Sequence, residues 1–277
     1  GCFMAYQAVA FDMDGTLLNR DRVILPETMD VLHQIQSRGI KIILVTGRHH
    51  SVVYPYYYQL GLTTPAICCN GSYLYDFQKQ HAFAANPMSK NQAKSLLQLV
   101  NQYGVHTLIY TDDLMNYEVL DDHLQGLFQW IDSLPEALRP EIRQVNSFID
   151  TIDHAKAIYK FATSSHDIST LKAFSHAIEA CGDFECEWSW VNRADIALKG
   201  NSKGNGLKAW SVAENIPLNN IVAFGDSYND ITMLQNAGLG IAMGNADKAV
   251  QKYADQVIGD NNHPSIAETL TELFLSC

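Results

Sequence analysis

Apolar and polar positions along the chain follow two regimes. In roughly the first eighty residues, and again beyond Ser202, short apolar runs with at most one charge stop abruptly at polar residues: Ala8–Phe11, Ile40–Val45, Ala66–Cys69, Asn220–Phe224 and Leu239–Met243. Runs of that kind are strands covered on both faces, as in a parallel sheet. Helical patterns separate them. Pro26 at a first helical position and Gly39 just past a last one bracket a helix with the stripe Val31, Leu32, Ile35. Further helices are predicted over 54–60, 203–215, around Ile231 and Leu234, over 246–253 and from Pro264, with a short strand at 256–258. Strand and helix in alternation predict an α/β fold whose core is a doubly wound, Rossmann-like parallel sheet.

The middle of the chain reads differently. A hairpin pattern spans 72–83, Ser89 caps a helix that Gly104 ends, and strand-like stretches follow at 106–110, 117–120, 157–162 and 184–191. Helices are predicted at 123–134 and 168–181. The alternation in Cys186-Glu187-Trp188-Ser189-Trp190 suits an antiparallel strand with one wet face, and would put Trp188 and Trp190 on the same side. Residues 84–192 are therefore read as an inserted α+β domain, with 1–83 and 193–277 forming the core.

Charge narrows the partners. Nineteen basic against thirty acidic residues give a net charge of −11, which disfavours nucleic acid and anionic membranes, since both need a basic footprint. No apolar run reaches membrane-spanning length, and no leader pattern is visible, so a cytoplasmic location is expected. Cys68-Cys69, Cys181 and Cys186 show no Cys-x-x-Cys spacing and read as reduced thiols. His49-His50 reads as a pair of surface histidines, because neighbours in a helix do not face each other.

Candidate chemistry collects where the parallel strands end. Ala8–Phe11 runs into Asp12-Met13-Asp14-Gly15-Thr16, and in an extended strand Asp12 and Asp14 would share one face. Thr46-Gly47 follows the second strand, and Gly225-Asp226-Ser227-Tyr228-Asn229-Asp230 follows a later one. Ligands of open α/β sheets bind beyond such strand ends. Aspartates converging there need a hard cation, and Mg²⁺ suits carboxylate, water and phosphate oxygens. Lys203 sits just after the N-cap candidate Ser202, so its charge faces the positive end of a helix dipole. That placement costs about 0.3–1 kcal/mol, unless an anion occupies the same place.

Four stretches in this order, Asp12-Met13-Asp14-Gly15-Thr16, Val45-Thr46-Gly47-Arg48, Asn201-Ser202-Lys203-Gly204 and Gly225–Asp230, resemble the motifs of haloacid dehalogenase-like phosphatases. The insert resembles the large α/β cap of the Cof-type subgroup. Residues 68–75 and 185–190 resemble that subgroup's bacterial pyridoxal-phosphate phosphatase branch, some members of which also accept sugar phosphates. The resemblance implies a Mg²⁺-dependent phosphatase of small phosphorylated metabolites, a monomer or small homo-oligomer, with a mobile cap. It makes Asp12 the nucleophile and a metal ligand, and Asp14 the acid and base, whose backbone carbonyl also binds metal. Asp226 and Ser227 complete the metal site; Met13, Thr46, Gly47, Lys203 and Asn229 contact the substrate, and Asp230 acts from behind them. Lys203 also holds Asp12 ionised. Arg48 and Asn70 are placed near the cleft by position alone. The rival reading within the family is a sugar phosphomutase, which the scarcity of arginine in the insert (Arg139 and Arg143) disfavours. A binding protein without catalysis is the remaining alternative.

Overall fold

The computed structural model describes residues 6–276 and divides into two compact units. The first comprises the described residues through Gly47, Tyr57–Phe83 and everything from Ser202; the second comprises Arg48–Tyr56 and Ala84–Asn201.

The first unit is built on a five-stranded sheet in the order Gln256–Val257, Leu239–Ala242, Ile221–Gly225, Ala8–Phe11, Lys41–Leu44, with every pairing parallel. Its central strands are wholly buried because their residues are all small or apolar, and Phe11 stacks on Phe224 with ring centroids 5.0 Å apart. Trp210, also buried, fills the layer beside the sheet and donates its indole N–H to the Pro65 carbonyl at 3.1 Å. The chain leaves Ala8–Phe11 towards Lys41–Leu44 on one side, while Ile221–Gly225 pairs with it on the other. The order of strands thus reverses at the pair that delivers Asp12 and Asp226, where open sheets form a crevice.

One predicted parallel strand leaves this sheet. Ala66–Cys68 makes a single parallel bridge, Ile67 to Val45 just past the second strand, and pairs antiparallel with Tyr73–Asp76, which pairs in turn with His81–Phe83. The turn at Cys69–Gly71 redirects it: three successive residues, Cys69, Asn70 and Gly71, have φ of 48°, 55° and 88°.

The second unit carries a six-stranded sheet in the order Phe184–Trp190, Arg193–Leu198, Ile158–Ser164, His106–Thr111, Met115–Tyr117, Ile142–Gln144. The helices Lys90–Tyr103, Phe148–His154 and Ile168–Ala180 pack on it around a core that includes Leu96, Phe161, Phe174 and Ile196. Arg193–Leu198 pairs with strands on both sides in this sheet, so the chain stays in the second unit beyond 192 and returns to the first at Ser202.

Two further expectations need correction. The histidine pair is buried, not superficial. His49 bonds the Thr111 carbonyl through Nε2 (2.7 Å) and Ser51 through Nδ1 (2.8 Å), and its ring lies 4.1 Å from that of His50. Burial pushes their pKa values down to about 4 and about 2, the second also through the neighbouring His49. Trp188 and Trp190 do not share a face either. An extra residue shifts the register between them, so Trp188 lies opposite Ala194 and Trp190 opposite Arg193, which is one residue away and points the other way. Trp188 packs on the core of the second unit, whereas Trp190 is 62% exposed.

Candidate active site

Asp12 lies immediately past the end of its strand, in a turn closed by amide donation from Thr16 to Met13 O (3.2 Å) and from Leu17 to Asp12 O (3.1 Å). The strand has ended before the aspartates, so they do not line one face: Asp12 is buried and Asp14 exposed. Gly15 makes the turn possible. Its φ is +80°, and a Cβ there would lie 2.1 Å from Asp226 Oδ2, so only glycine fits against that carboxylate.

Lys203 is the first residue of the helix Lys203–Glu214, whose N-cap Ser202 accepts from Asn205 N at 3.0 Å. Its side chain is 1% exposed and points back across the helix end. Nζ donates to Asp12 Oδ1 (2.9 Å), Asp230 Oδ1 (2.7 Å) and Asn229 Oδ1 (3.3 Å). Gly204 and Gly206, costly in a first turn, are explained by contact: a Cβ at Gly204 would strike Thr232 and Asn236, and one at Gly206 would strike Ile67. Gly71 likewise lies against the Ser202 carbonyl. These close approaches seat the helix end that carries the lysine.

Asp230 is fully buried and uses both oxygens. Oδ1 takes Lys203, and Oδ2 accepts from the amides of Asp226 (2.9 Å) and Ser227 (3.0 Å). Asp226 accepts from Thr16 Oγ1 at 2.8 Å and from Ser227 Oγ at 3.1 Å. Oxygens of Asp12, Asp226 and Asp230 lie within 4.8 Å of one another, so these three could hold a metal ion. Asp230 is already saturated by a cation and two amides. Asp12 and Asp226 are therefore the pair with capacity for a ligand, and Ser227 lies beside them.

The electrostatics suit a bound cation. Burial, then repulsion from Asp230, pushes the Asp12 carboxyl well above its usual range despite Lys203. Burial also raises Asp226. For Lys203, burial opposes the charge but Asp12 and Asp230 overcome it, so its pKa is raised and it stays an ammonium. One lysine does not balance three carboxylates, two of them buried and that of Asp226 half-buried. All-oxygen donors with surplus negative charge suit a hard divalent cation such as Mg²⁺.

Met13 is buried and donates its amide to Asp12 Oδ1 at 2.8 Å. Thr46 is buried at the end of the second strand; its amide donates to Ile67 O and its carbonyl accepts from Asn70 N, each at 2.9 Å. Asn70 Oδ1 accepts from Asn229 Nδ2 at 3.3 Å, joining the Cys69–Gly71 turn to the Lys203 network. Arg48 belongs to the second unit, where its guanidinium lies over the stacked rings of Tyr56 and Trp130. Thr16 stands in the same short run as Asp12, where nothing local announces a role for it; only the fold brings it to Asp226, 210 residues away.

Residues 9–270 match the family model of the haloacid dehalogenase-like hydrolases. Over 265 residues, 96% of this chain and 97% of the relative, the chain is 43% identical to the pyridoxal phosphate phosphatase YbhA of Escherichia coli K12. It is 28% identical, over 96% of its length and 97% of the relative's, to the 5-amino-6-(5-phospho-D-ribitylamino)uracil phosphatase YitU of Bacillus subtilis. A haloacid dehalogenase-like hydrolase from Bacteroides thetaiotaomicron has the same fold, with a TM-score of 0.84 at 23% identity, over 97% of this chain and all of that one.

Proposed function

The chain belongs to the haloacid dehalogenase-like hydrolases and is a phosphoric monoester hydrolase, and from that premise we propose that it hydrolyses small phosphorylated metabolites, pyridoxal phosphate foremost, through a phospho-aspartate on Asp12. The observation that carries this reading is the buried bridge from Lys203 Nζ to Asp12 and Asp230. It fixes an aspartate beside a permanent cation at the strand-order reversal. The choice of pyridoxal phosphate is supported by the 43% identity to the Escherichia coli enzyme.

Asp12, Asp226, Ser227 and the Asp14 carbonyl would hold Mg²⁺, which when bound neutralises phosphoryl charge facing an anionic nucleophile. Lys203 and the Met13 amide both take Asp12 Oδ1, fixing the plane of the carboxylate. One oxygen of Asp12 attacks phosphorus as the ester P–O bond breaks, and Asp14 gives its proton to the departing alkoxide. Asp14, now ionised, removes a proton from water, which attacks phosphorus and releases inorganic phosphate and the Asp12 carboxylate. Lys203, Asn229, Thr46 and Gly47 would hold the transferring phosphoryl.

Hydrolysis is favoured over transfer to a second sugar hydroxyl. Arg139 is occupied by the carbonyls of Leu134 and Asp132, and Arg143 by Asp113 and Asn116, so neither is poised for a distal phosphate. The test is phosphate release from a panel of phosphomonoesters with and without Mg²⁺. Turnover of pyridoxal phosphate that needs Mg²⁺ and vanishes in Asp12→Asn is expected. Interconversion of sugar phosphate isomers without phosphate release would favour the mutase.

A further inference from the structure

The loop after Asp12 is held from outside by residues that belong to none of the four motifs. Asn245 Nδ2 donates to the Gly15 carbonyl at 2.9 Å, and Asn261 Nδ2 donates to the Leu18 carbonyl at 2.9 Å. The two asparagines are themselves joined: Asn245 Oδ1 accepts from Asn261 N at 3.1 Å. That bond sets the amide of Asn245, since its oxygen is engaged by Asn261 and its nitrogen is left to face Gly15. The segments carrying them are tied by donation from Gly244 N to Gly259 O at 3.0 Å, and Arg20 N donates to Asn262 Oδ1 at 3.0 Å just beyond the loop.

We propose that Asn245 and Asn261 form a clamp that positions Asp14 for proton transfer to the leaving group. Asp12 is fixed by bonds of its own, from Lys203 Nζ and the Met13 amide to Oδ1. Asp14 stands on the exposed part of the loop, and the clamp grips the carbonyls of the next residue and of Leu18, which forms an isolated bridge with Asp14. On Thr16's side the same loop is held to Asp226. Losing the clamp frees the segment that carries the acid while leaving the nucleophile and Lys203 in place. Asn245 and Asn261 are positioning residues, since neither touches the reacting atoms.

This inference rests on Asp14 being the acid, and the experiment separates the two. The first-turnover rate of alcohol release, which reports phosphoryl transfer to Asp12 and not the later step in which Asp14 activates water, is measured by rapid quench for an alkyl phosphate, whose alkoxide needs a proton to leave, and for p-nitrophenyl phosphate, whose phenolate does not. The wild type, Asp14→Asn, Asn245→Ala, Asn245→Asp and Asn261→Ala are compared. General acid assistance is worth roughly 10²–10⁴-fold; partial loss of position in the asparagine variants should cost about tenfold in that first-turnover rate on the alkyl ester at saturating substrate, with less than about threefold lost on p-nitrophenyl phosphate. Asn245→Asp keeps the acceptor for Asn261 but turns an oxygen towards Gly15 O, so it should be at least as impaired as Asn245→Ala. In the Asp14→Asn background neither asparagine substitution should add a further loss. Amide exchange across residues 14–18 should quicken in both variants, whatever the substrate. Equal losses on both esters, additive losses with Asp14→Asn, or unchanged exchange would overturn the clamp. If Asp14→Asn itself spares the alkyl ester, the acid assignment fails instead.

Discussion

Replacing Lys203 by methionine keeps the volume of the side chain but removes its ammonium. Nζ sits 2.9 Å from Asp12 and 2.7 Å from Asp230, with side-chain exposures of 1%, 8% and 0% for the lysine and its two partners. Breaking a buried ion pair from one side costs about 3–5 kcal/mol, because the remaining charges are uncompensated. A typical domain has about 5–15 kcal/mol in total, so the variant should fold but with much of its margin gone. The deficit should depend on pH. Without the lysine, the Asp12 carboxyl, already raised by burial, loses a charge that lowers it and titrates higher still in the folded state than in the unfolded chain. Stability from such groups is present below the ordinary carboxyl pKa of about 4 and is lost as pH rises through the folded value. Metal-free urea unfolding of wild type and Lys203→Met at pH 8 and pH 5.5 tests this. The deficit should be about 3–5 kcal/mol at pH 8 and shrink at pH 5.5. A deficit below about 1 kcal/mol at pH 8, or one that grows on acidification, would refute the buried-bridge argument.

The raised pKa of Asp12, caused first by burial and then by Asp230, has the same sign in the wild type. The thermal midpoint of metal-free protein should therefore fall as pH rises above about 4, and the gain on adding Mg²⁺ should be larger at pH 8 than at pH 5.5; a pH-independent gain in scanning fluorimetry would contradict this. Thr16→Val removes the 2.8 Å bond to Asp226 and should weaken Mg²⁺ activation by roughly fivefold, the equivalent of about 1 kcal/mol, as read from a metal titration of activity. Asp226→Ala and EDTA should each abolish turnover, the second reversibly on restoring Mg²⁺. Because Trp188 packs on the core of the second unit and Trp190 is exposed, Trp188→Ala should destabilise by about 2–3 kcal/mol and Trp190→Ala by less than about 0.5, measured by chemical unfolding.

The buried parallel strands were legible because nothing charged interrupts Ala8–Phe11 or Ile221–Phe224, and their ends were legible because aspartate and glycine follow at once. Arg193–Leu198 was not. It carries Asp195, which reads as a surface residue until Lys160, 35 positions earlier, is seen to pair with it at 3.0 Å inside the sheet. Met115–Tyr117 and Ile142–Gln144 are only three residues long, too short for a period to show. His49 is buried because a carbonyl 62 residues away accepts its proton, a partner no local pattern announces. At the site, the sequence picked out Asp12, Lys203, Asp226 and Asn229, and the fold brings them into one network. It also suggested one face for Asp12 and Asp14, an inference that depended on a strand continuing past Phe11. The amide donors at Asn245 and Asn261 gave no signal, since an asparagine in a polar loop looks like any turn residue.

The central claim is that Asp12 carries the phosphoryl group during turnover. Rapid acid quench of the enzyme with pyridoxal phosphate and Mg²⁺, followed by mass spectrometry of its peptides, tests it most directly. A phosphoryl group on the peptide containing Asp12, formed within a single turnover, lost during a chase and absent from Asp12→Asn, is the predicted result. Full turnover with no phosphorylated Asp12 peptide at any quench time, or Asp12→Asn retaining a tenth of wild-type activity, would contradict it.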